Sequence, residues 1–412
     1  MIYGCIGEHL KHSFSKEIHN CLADYEYELC EISKDCLDAF MKHHDFRAIN
    51  VTIPYKEAVI PYLDCVDKAA KEIGAVNTVV NKNGKLYGYN TDFYGMRMLI
   101  SHAGIELQNK KVAVLGTGGT SKTARAVANS LSAREIVTVS RTKSTDTVTY
   151  EELYKNHQDL DVIINTTPLG MFPNNFTKPV DITNFPKLSG VIDAVYNPLK
   201  TALILDAQKH GIKAEGGLYM LVAQAVLASE IFLDKKYDKE KLDEVFEKIE
   251  RQKENIILVG MPSSGKSTIG KEIAKRLGRA FYDTDELIAQ KSAMTIPDII
   301  TSLGEEKFRE LESDVVNEIS KATGIIIATG GGVVLKDENI RVLSQNGRIY
   351  FLDRPLELLL PTKDRPLTST KEALIKKYNE RYGIYEKAAD VKIDASGDVE
   401  AVTNAVIGGF LK

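Results

Sequence analysis

GMPSSGKST, running from Gly260 to Thr268, follows the apolar run Ile256 to Val259 and leads into a helix-forming stretch, Ile269 to Leu277. Strand, glycine-bounded loop and helix in that order, with the spacing G-x-x-x-x-G-K-S, is the pattern of a phosphate-binding loop. The residue types follow from the task. Glycines let successive backbone N–H groups turn toward one anion, and the next helix presents the positive end of its dipole there. Ser263, Ser264, Gly265 and Thr268 are therefore expected around the phosphates of ATP. Lys266 would reach the β- and γ-phosphates, and the Ser267 hydroxyl would sit on Mg²⁺. Such a loop opens its domain. A nucleotide-binding domain is thus expected from near Asn255, and about 250 residues ahead of it must form something else.

The chain has 412 residues, room for two or three domains with full cores. Its 43% hydrophobic and 27% charged content is ordinary for a globular protein. A net charge of −4 and a pI near 6.1 carry no basic footprint, so nucleic acid is not an expected partner. No apolar run has the length of a membrane span, and MIYGCIGEHLKHS lacks a signal-peptide pattern. Cys5, Cys21, Cys30, Cys36 and Cys65 form no C-x-x-C pair, which points to reduced thiols in the cytoplasm.

A second phosphate cradle lies upstream, in KKVAVLGTGGTSKTARAVANSL, Lys110 to Leu131. Val112 to Leu115 reads as a strand, Gly116-Thr117-Gly118-Gly119 as a tight turn, and Thr123 to Leu131 as a helix. This is the dinucleotide form of the cradle, with Ser121 where the last glycine of G-x-G-x-x-G would stand. The next strand, Glu135 to Val139, runs into Ser140-Arg141-Thr142-Lys143 instead of an acid that would grip a free ribose 2′-hydroxyl. A cation there accommodates a 2′-phosphate, so NADP is favoured over NAD. Strands Val162 to Asn165 and Val191 to Asp193 continue an alternating α/β pattern.

The first hundred residues read as strands Ile2 to Ile6 and Ala48 to Ile53, with a helix from Lys16 to Leu22. Their polar clusters are HSFSKEIHN, NVTIPYK, GAVNT and GYNTD. Residues 216–233 form an apolar helix with one polar intruder, Gln224, and Asp238 to Ile249 an amphipathic charged one.

Taken in order, HSFSKEIHN, NVTIPYK, GAVNT, GYNTD, LGTGGTS, NTTPLGM, DAVYNPLKT and GGLYMLVAQ resemble the shikimate dehydrogenase family over residues 1–250. The resemblance implies that Ser13, Ser15, Thr52, Asn77, Asp92 and Gln224 hold the hydroxyls and carboxylate of 3-dehydroshikimate or shikimate, with Tyr196 nearby. It implies Lys56 and Asp92 as the catalytic pair, and Thr120 and Gly217 beside Gly116, Gly118 and Gly119 at the NADP(H) site. The chemistry agrees: hydride reduction of a ketone puts negative charge on oxygen, which needs a cationic proton donor beside it. The family's basic motif usually begins with Asn and carries a second arginine, where this chain has Ser140 and Thr145.

The C-terminal part is similar to the shikimate kinase family, in FYDTD, EEKFRELE, the glycines 330–332, DRPL and ERYGIYEKAAD. That likeness implies that Asp283 supports Mg²⁺ and Asp285, at the end of a strand, takes the substrate hydroxyl. Arg309 and Arg381 would clamp the substrate carboxylate, a task suited to guanidinium forks. Gly331 and Gly332 would let backbone approach the substrate ring, and Arg365 would reach the transferring phosphoryl group. The lid, LLLPTKDRPL, is short and has Thr362 where the family carries an adenine-stacking arginine.

The expected architecture is α/β throughout. A shikimate dehydrogenase-like substrate domain (1–100 plus 217–250) would enclose a Rossmann NADP domain (101–216), followed by a three-layer α/β/α P-loop kinase domain (255–412). The expected activities are NADP-dependent shikimate dehydrogenase and shikimate kinase, in a cytoplasmic protein with small-molecule substrates and no nucleic-acid or membrane partner. A homo-oligomer is left open. A metabolite sensor built on inactive folds would be expected to lack Lys56, Asp92, Lys266 or Asp285, and all are present.

Overall fold

The computed structural model describes residues 2–10, 13–238, 240–360 and 370–411; Thr362, Lys363 and Arg365 lie outside these. The chain forms two compact units, Met1–Ile249 and Glu250–Lys412. No helix among the described residues is long and apolar enough to cross a membrane.

The first unit holds two sheets. One contains β1 (Tyr3–Gly7), β2 (Tyr27–Glu31), β3 (Ala48–Val51), β4 (Cys65–Val66), β5 (Thr78–Lys82) and β6 (Lys85–Tyr89), in the order β2-β1-β3-β5-β6-β4. Here β5 runs antiparallel to both β3 and β6, and the remaining pairs are parallel. The other contains β7 (Lys111–Leu115), β8 (Glu135–Val139), β9 (Val162–Asn165), β10 (Gly190–Asp193) and β11 (Lys213–Glu215), all parallel in the order β11-β10-β9-β7-β8. KVAVL and VIIN are buried along their whole length, as a parallel sheet covered on both faces requires. Strand order reverses between β7 and β9, so their following loops diverge and open a crevice at the carboxyl edge.

Two helices of this unit lie backbone to backbone. A Cβ on Gly95, in the Thr91–His102 helix, would stand 2.6 Å from the Met220 carbonyl of the Leu218–Leu233 helix. Only glycine permits that approach, and Met96, Leu99, Ile100, Val222, Ala223 and Val226 fill the core beside it.

The second unit is one parallel sheet of β12 (Asn255–Val259), β13 (Phe281–Asp283), β14 (Ile326–Ala328), β15 (Gly347–Asp353) and β16 (Val391–Asp394), ordered β13-β14-β12-β15-β16. Helices cover it, with Ile269 and Ile273 among the buried residues of one cluster and Val316, Val342 and Leu374 of another.

Several boundaries differ from the sequence expectation. The helix after the first cradle begins at Gly119, not Thr123, and the one after the phosphate loop begins at Lys266, not Ile269. Glycines open both, so neither shows the apolar periodicity that marks a helix start. β3 stops at Val51, before the turn into Pro54. The charged helix spans Lys241–Lys253 and does not end at Ile249, because Glu-Arg-Gln-Lys is a run of good helix formers with no breaker. Asp285 lies in the first turn of the Thr284–Ser292 helix, past the strand end at Asp283.

Candidate active sites

In the first unit the turn after β3 carries Thr52 and Lys56. Lys56 Nζ meets Asp92 Oδ2 at 2.7 Å, with side-chain exposures of 16% and 9%. Asp92 is placed by Asn90, whose side chain caps the Thr91–His102 helix by accepting the Phe93 N–H at 3.1 Å. Lys56 is placed by its own carbonyl, which accepts from the Val76 N–H at 2.8 Å and so ties the lysine to the GAVNT turn. In that turn Asn77 donates to Thr91 Oγ1 at 3.0 Å and accepts the Thr91 N–H at 2.8 Å. Thr91 Oγ1 in turn donates to Gln224 Oε1 at 3.3 Å, across 133 positions of sequence. Lys56, Asp92, Asn77 and Gln224 are therefore brought into one connected polar cluster. Thr91, Thr78 and Asn50, which complete it, lay inside the quoted motifs without being singled out; only the register of β3, β5 and β6 reveals them.

Ser13 and Ser15 share a hydrogen bond of 3.0 Å at the start of the Ser15–Leu22 helix. Phe14 between them meets the Tyr196 ring edge-on at 5.3 Å. Burial pushes the Tyr196 phenol up to about 12, so it stays protonated and able to donate. Thr52 is half-buried; its methyl group would stand 2.6 Å from a Cβ on Gly7, so the first strand leaves room for it.

The dinucleotide cradle adjoins this cluster. Gly116 adopts φ +110°, and a Cβ there would meet Thr166 Oγ1 at 2.9 Å, where the loops after β7 and β9 part. The Gly119–Ser130 helix, which carries Thr120, starts at Gly118 with no side-chain cap, leaving its first-turn N–H groups for an anion. A Cβ on Gly118 would have nothing within 4 Å, and one on Gly119 would lie 3.8 Å from Lys56 Cδ. These features fit a pyrophosphate next to the lysine. Ser121 is buried, and its hydroxyl donates to the Gly116 carbonyl at 2.6 Å, bracing the turn from behind. Past β8, Arg141 and Thr142 are exposed, the Thr142 N–H donates to Ser140 Oγ at 3.3 Å, and Lys143 is bound to Glu152. Gly217 stands at the start of the helix that bears Gln224, its N–H donating to the Val195 carbonyl at 2.9 Å.

In the second unit a cavity of about 710 Å³ is lined by Lys266, Ser267, Asp283, Asp285, Arg309 and Arg381, together with Ser263, Gly265, Thr268 and the glycines 330–332. Gly260, Ser263 and Gly265 take φ of +149°, +66° and +92°, curling the loop. As in the first cradle, the Lys266–Leu277 helix starts at a glycine with no side-chain cap. Lys266 Nζ donates to the Gly260 and Met261 carbonyls at 2.9 Å, and Ser267 Oγ donates to Asp283 Oδ2 at 2.5 Å. A hydroxyl and a carboxylate side by side are hard oxygen donors of the kind Mg²⁺ takes alongside phosphate oxygens. Ser264 differs from its neighbours: its side chain is fully buried beneath the loop.

The three glycines admit side chains. A Cβ on Gly330 would stand 2.6 Å from Asp285 Oδ1, and one on Gly332 2.1 Å from Arg309 Nη1. Their bare backbone makes room for Asp285 beside Gly330 and for Arg309 beside Gly332. The Gly331 carbonyl accepts from Arg381 Nη1 at 3.0 Å. Arg381 is only 3% exposed, and its Nε and Nη2 have no partner among the described residues. Those two N–H groups form one edge of the guanidinium fork, the geometry that grips a carboxylate bidentately. Arg309 is held by Glu312 at 2.8 Å and Glu305 at 3.1 Å. Glu312, fully buried, went unnoticed in EEKFRELE although it stands three residues after Arg309, on the same helix face. Burial pushes its carboxyl up, against the pull of Arg309.

Comparison with known proteins agrees with both halves. Residues 5–79 match the family model of the shikimate dehydrogenase substrate binding domain, and residues 262–408 that of shikimate kinase. A shikimate dehydrogenase (NADP(+)) of Clostridium perfringens is 38% identical over 266 residues, covering 60% of this chain and 98% of that protein. Among solved structures, a chorismate mutase/shikimate 5-dehydrogenase fusion protein from Clostridium acetobutylicum has a TM-score of 0.57 at 36% identity, covering 60% of this chain and 97% of that one. A shikimate 5-dehydrogenase from Thermus thermophilus, in complex with NADP(H) and shikimate, has a TM-score of 0.55 at 27% identity, covering 60% and 99%. The chain therefore belongs to the shikimate dehydrogenase family and carries a shikimate kinase domain fused behind it.

Proposed function

We propose that the first unit reduces 3-dehydroshikimate to shikimate with NADPH and the second phosphorylates the shikimate 3-hydroxyl from ATP. Substrate contacts come from residues 1–100 and 217–250, cofactor contacts from 101–216, and the kinase from 255–412. The five cysteines are free thiols, in keeping with a cytoplasmic enzyme.

In the first reaction NADPH supplies the hydride. Lys56 gives its proton to the ketone oxygen as charge develops there, and Asp92 holds the ammonium in place. Ser13, Ser15, Thr52, Asn77 and Gln224 hold the ring's carboxylate and hydroxyls, with Tyr196 closing on Phe14. Arg141 meets the 2′-phosphate; Lys143, engaged by Glu152, contributes less.

In the second reaction MgATP supplies the phosphoryl group. Asp285 accepts the hydroxyl proton, the free edge of Arg381 takes the carboxylate, and Arg309 assists from its place on Glu312. Lys266 answers the charge on the phosphates, Ser267 and Asp283 offer oxygens to Mg²⁺, and Arg365 is assigned to the phosphoryl group from the sequence pattern.

The observation that carries this reading is the Lys56–Asp92 pair at 2.7 Å, set against the first turn of the cofactor helix. The test is to incubate purified protein with 3-dehydroshikimate, NADPH and Mg-ATP. Phosphorylated shikimate should accumulate with NADPH consumed in equal amount; shikimate without phosphate, or no NADPH oxidation, would remove one half or the other.

A further inference from the structure

β10 ends in an aspartate that the reaction does not use. Asp193 is fully buried, yet three donors converge on its carboxylate. Oδ1 accepts from Asn165 Nδ2 at 2.9 Å and the Val195 N–H at 3.0 Å, and Oδ2 accepts from Thr201 Oγ1 at 2.7 Å. Asn165 ends β9, Val195 lies in the loop after β10, and Thr201 caps the Ala202–Lys209 helix. One side chain thus joins three segments at the carboxyl edge of the second sheet.

The segment it holds is 194–201, and that loop is walled in from the other side. A Cβ on Gly217 would stand 2.2 Å from the Ala194 carbonyl, and the Gly217 N–H donates to the Val195 carbonyl at 2.9 Å. Fixed on both sides, the loop carries Tyr196 to Phe14, between the two serines. A carboxylate is costly to bury, and burial pushes Asp193 up to about 7 even against its three donors. What offsets that cost is direction: each donor has one place to point, so the loop has one conformation.

We propose that Asp193 is a positioning residue of the dehydrogenase site, holding the 194–201 loop so that Tyr196 orients the substrate ring against Ser13 and Ser15. This rests on the dehydrogenase reading of the first unit. Asp193 touches neither the substrate nor the cofactor; it acts through Tyr196.

The test is a double-mutant cycle on the full chain, with Asp193→Asn, Tyr196→Ala and both together, assayed for 3-dehydroshikimate reduction. Each single change should lower kcat/KM roughly tenfold, mainly by raising the substrate KM, because a buried donor set loses its acceptor or the ring loses its guide. NADPH affinity, measured by direct binding, should stay within about twofold, and the double variant should be within about twofold of Tyr196→Ala alone. Losses that multiply in the double variant, or an unchanged KM in either single one, overturn the proposal. Should Asp193→Asn fail to bind NADPH, Thr201→Val against Thr201→Ser decides: the valine must raise KM and the serine must not. Wild-type protein that does not reduce 3-dehydroshikimate at all defeats the activity itself, and this inference with it.

Discussion

Replacing His19 by Phe should change how the stability of the first unit depends on pH, by an amount the structure sets. His19 is fully buried, its ring stacked on Tyr27 at 3.9 Å and 8° and its Nδ1 in contact with the Tyr25 hydroxyl. Burial pushes its pKa down to about 3, against a smaller opposite pull from Asn50. The folded value lies below the ordinary 6.5, so the unfolded chain binds a proton that the folded one refuses. Stability from this group is complete above pH 6.5 and is lost as pH falls toward 3, at about 1.4 kcal/mol per pH unit. Asp193 works in the other direction: its folded value near 7 exceeds the ordinary 3.8, so its contribution is complete at low pH and lost as pH rises through that window. In wild type the two slopes oppose each other between about pH 4 and 6.5. His19→Phe keeps the stack on Tyr27 and removes only the rising one. The stability difference, variant minus wild type, should therefore grow by about 2 kcal/mol between pH 6.5 and pH 4.5. Any constant penalty for losing the Tyr25 contact cancels in that difference. The readout is specific to one unit, because all five cysteines lie in the first 65 residues and Cys5 is only 4% exposed. Urea titrations with a methanethiosulfonate pulse, read as Cys5 modification by mass spectrometry, follow that unit alone. Parallel pH profiles for the two proteins would mean that folded His19 takes a proton at its ordinary pKa, and would refute the burial argument.

The two activities should separate by mutation. Lys56→Met should lower dehydrogenase kcat by about 10²- to 10⁴-fold and leave shikimate phosphorylation unchanged, as measured by paired assays on one preparation. Lys266→Ala should do the reverse; loss of both activities from either change would contradict independent sites. Arg381→Ala should raise the kinase KM for shikimate by about 10- to 100-fold, and Arg381→Lys should recover little of it, since an ammonium cannot offer the Nε–Nη2 edge. Arg141→Ala should cost roughly tenfold in kcat/KM for NADPH and little for NADH; equal losses would place the 2′-phosphate elsewhere.

Both phosphate cradles could be read from the chain because each is contiguous. A strand, a few glycines and a helix start are enough to aim backbone N–H groups at one point, so the motif and the geometry coincide. Asp285 in FYDTD and Arg309 in EEKFRELE stood out through the likeness to the shikimate kinase family. Their environments did not. Thr91 bonds Gln224 across 133 positions, and Asp193 finds Asn165 28 positions away, contacts that exist only once the strands have paired in register. Glycines were legible as turns but not as spaces: that Gly330 and Gly332 make room for Asp285 and Arg309, or Gly95 for the helix bearing Gln224, depends on what lies opposite. Sequence alone determined the α/β class, the two kinds of phosphate cradle and the residue types that meet them, since these are properties of short segments. Tertiary structure alone decided which side chains share a cluster and which buried polar groups brace them, because burial and hydrogen-bond partners are set by segments that meet only in the folded chain.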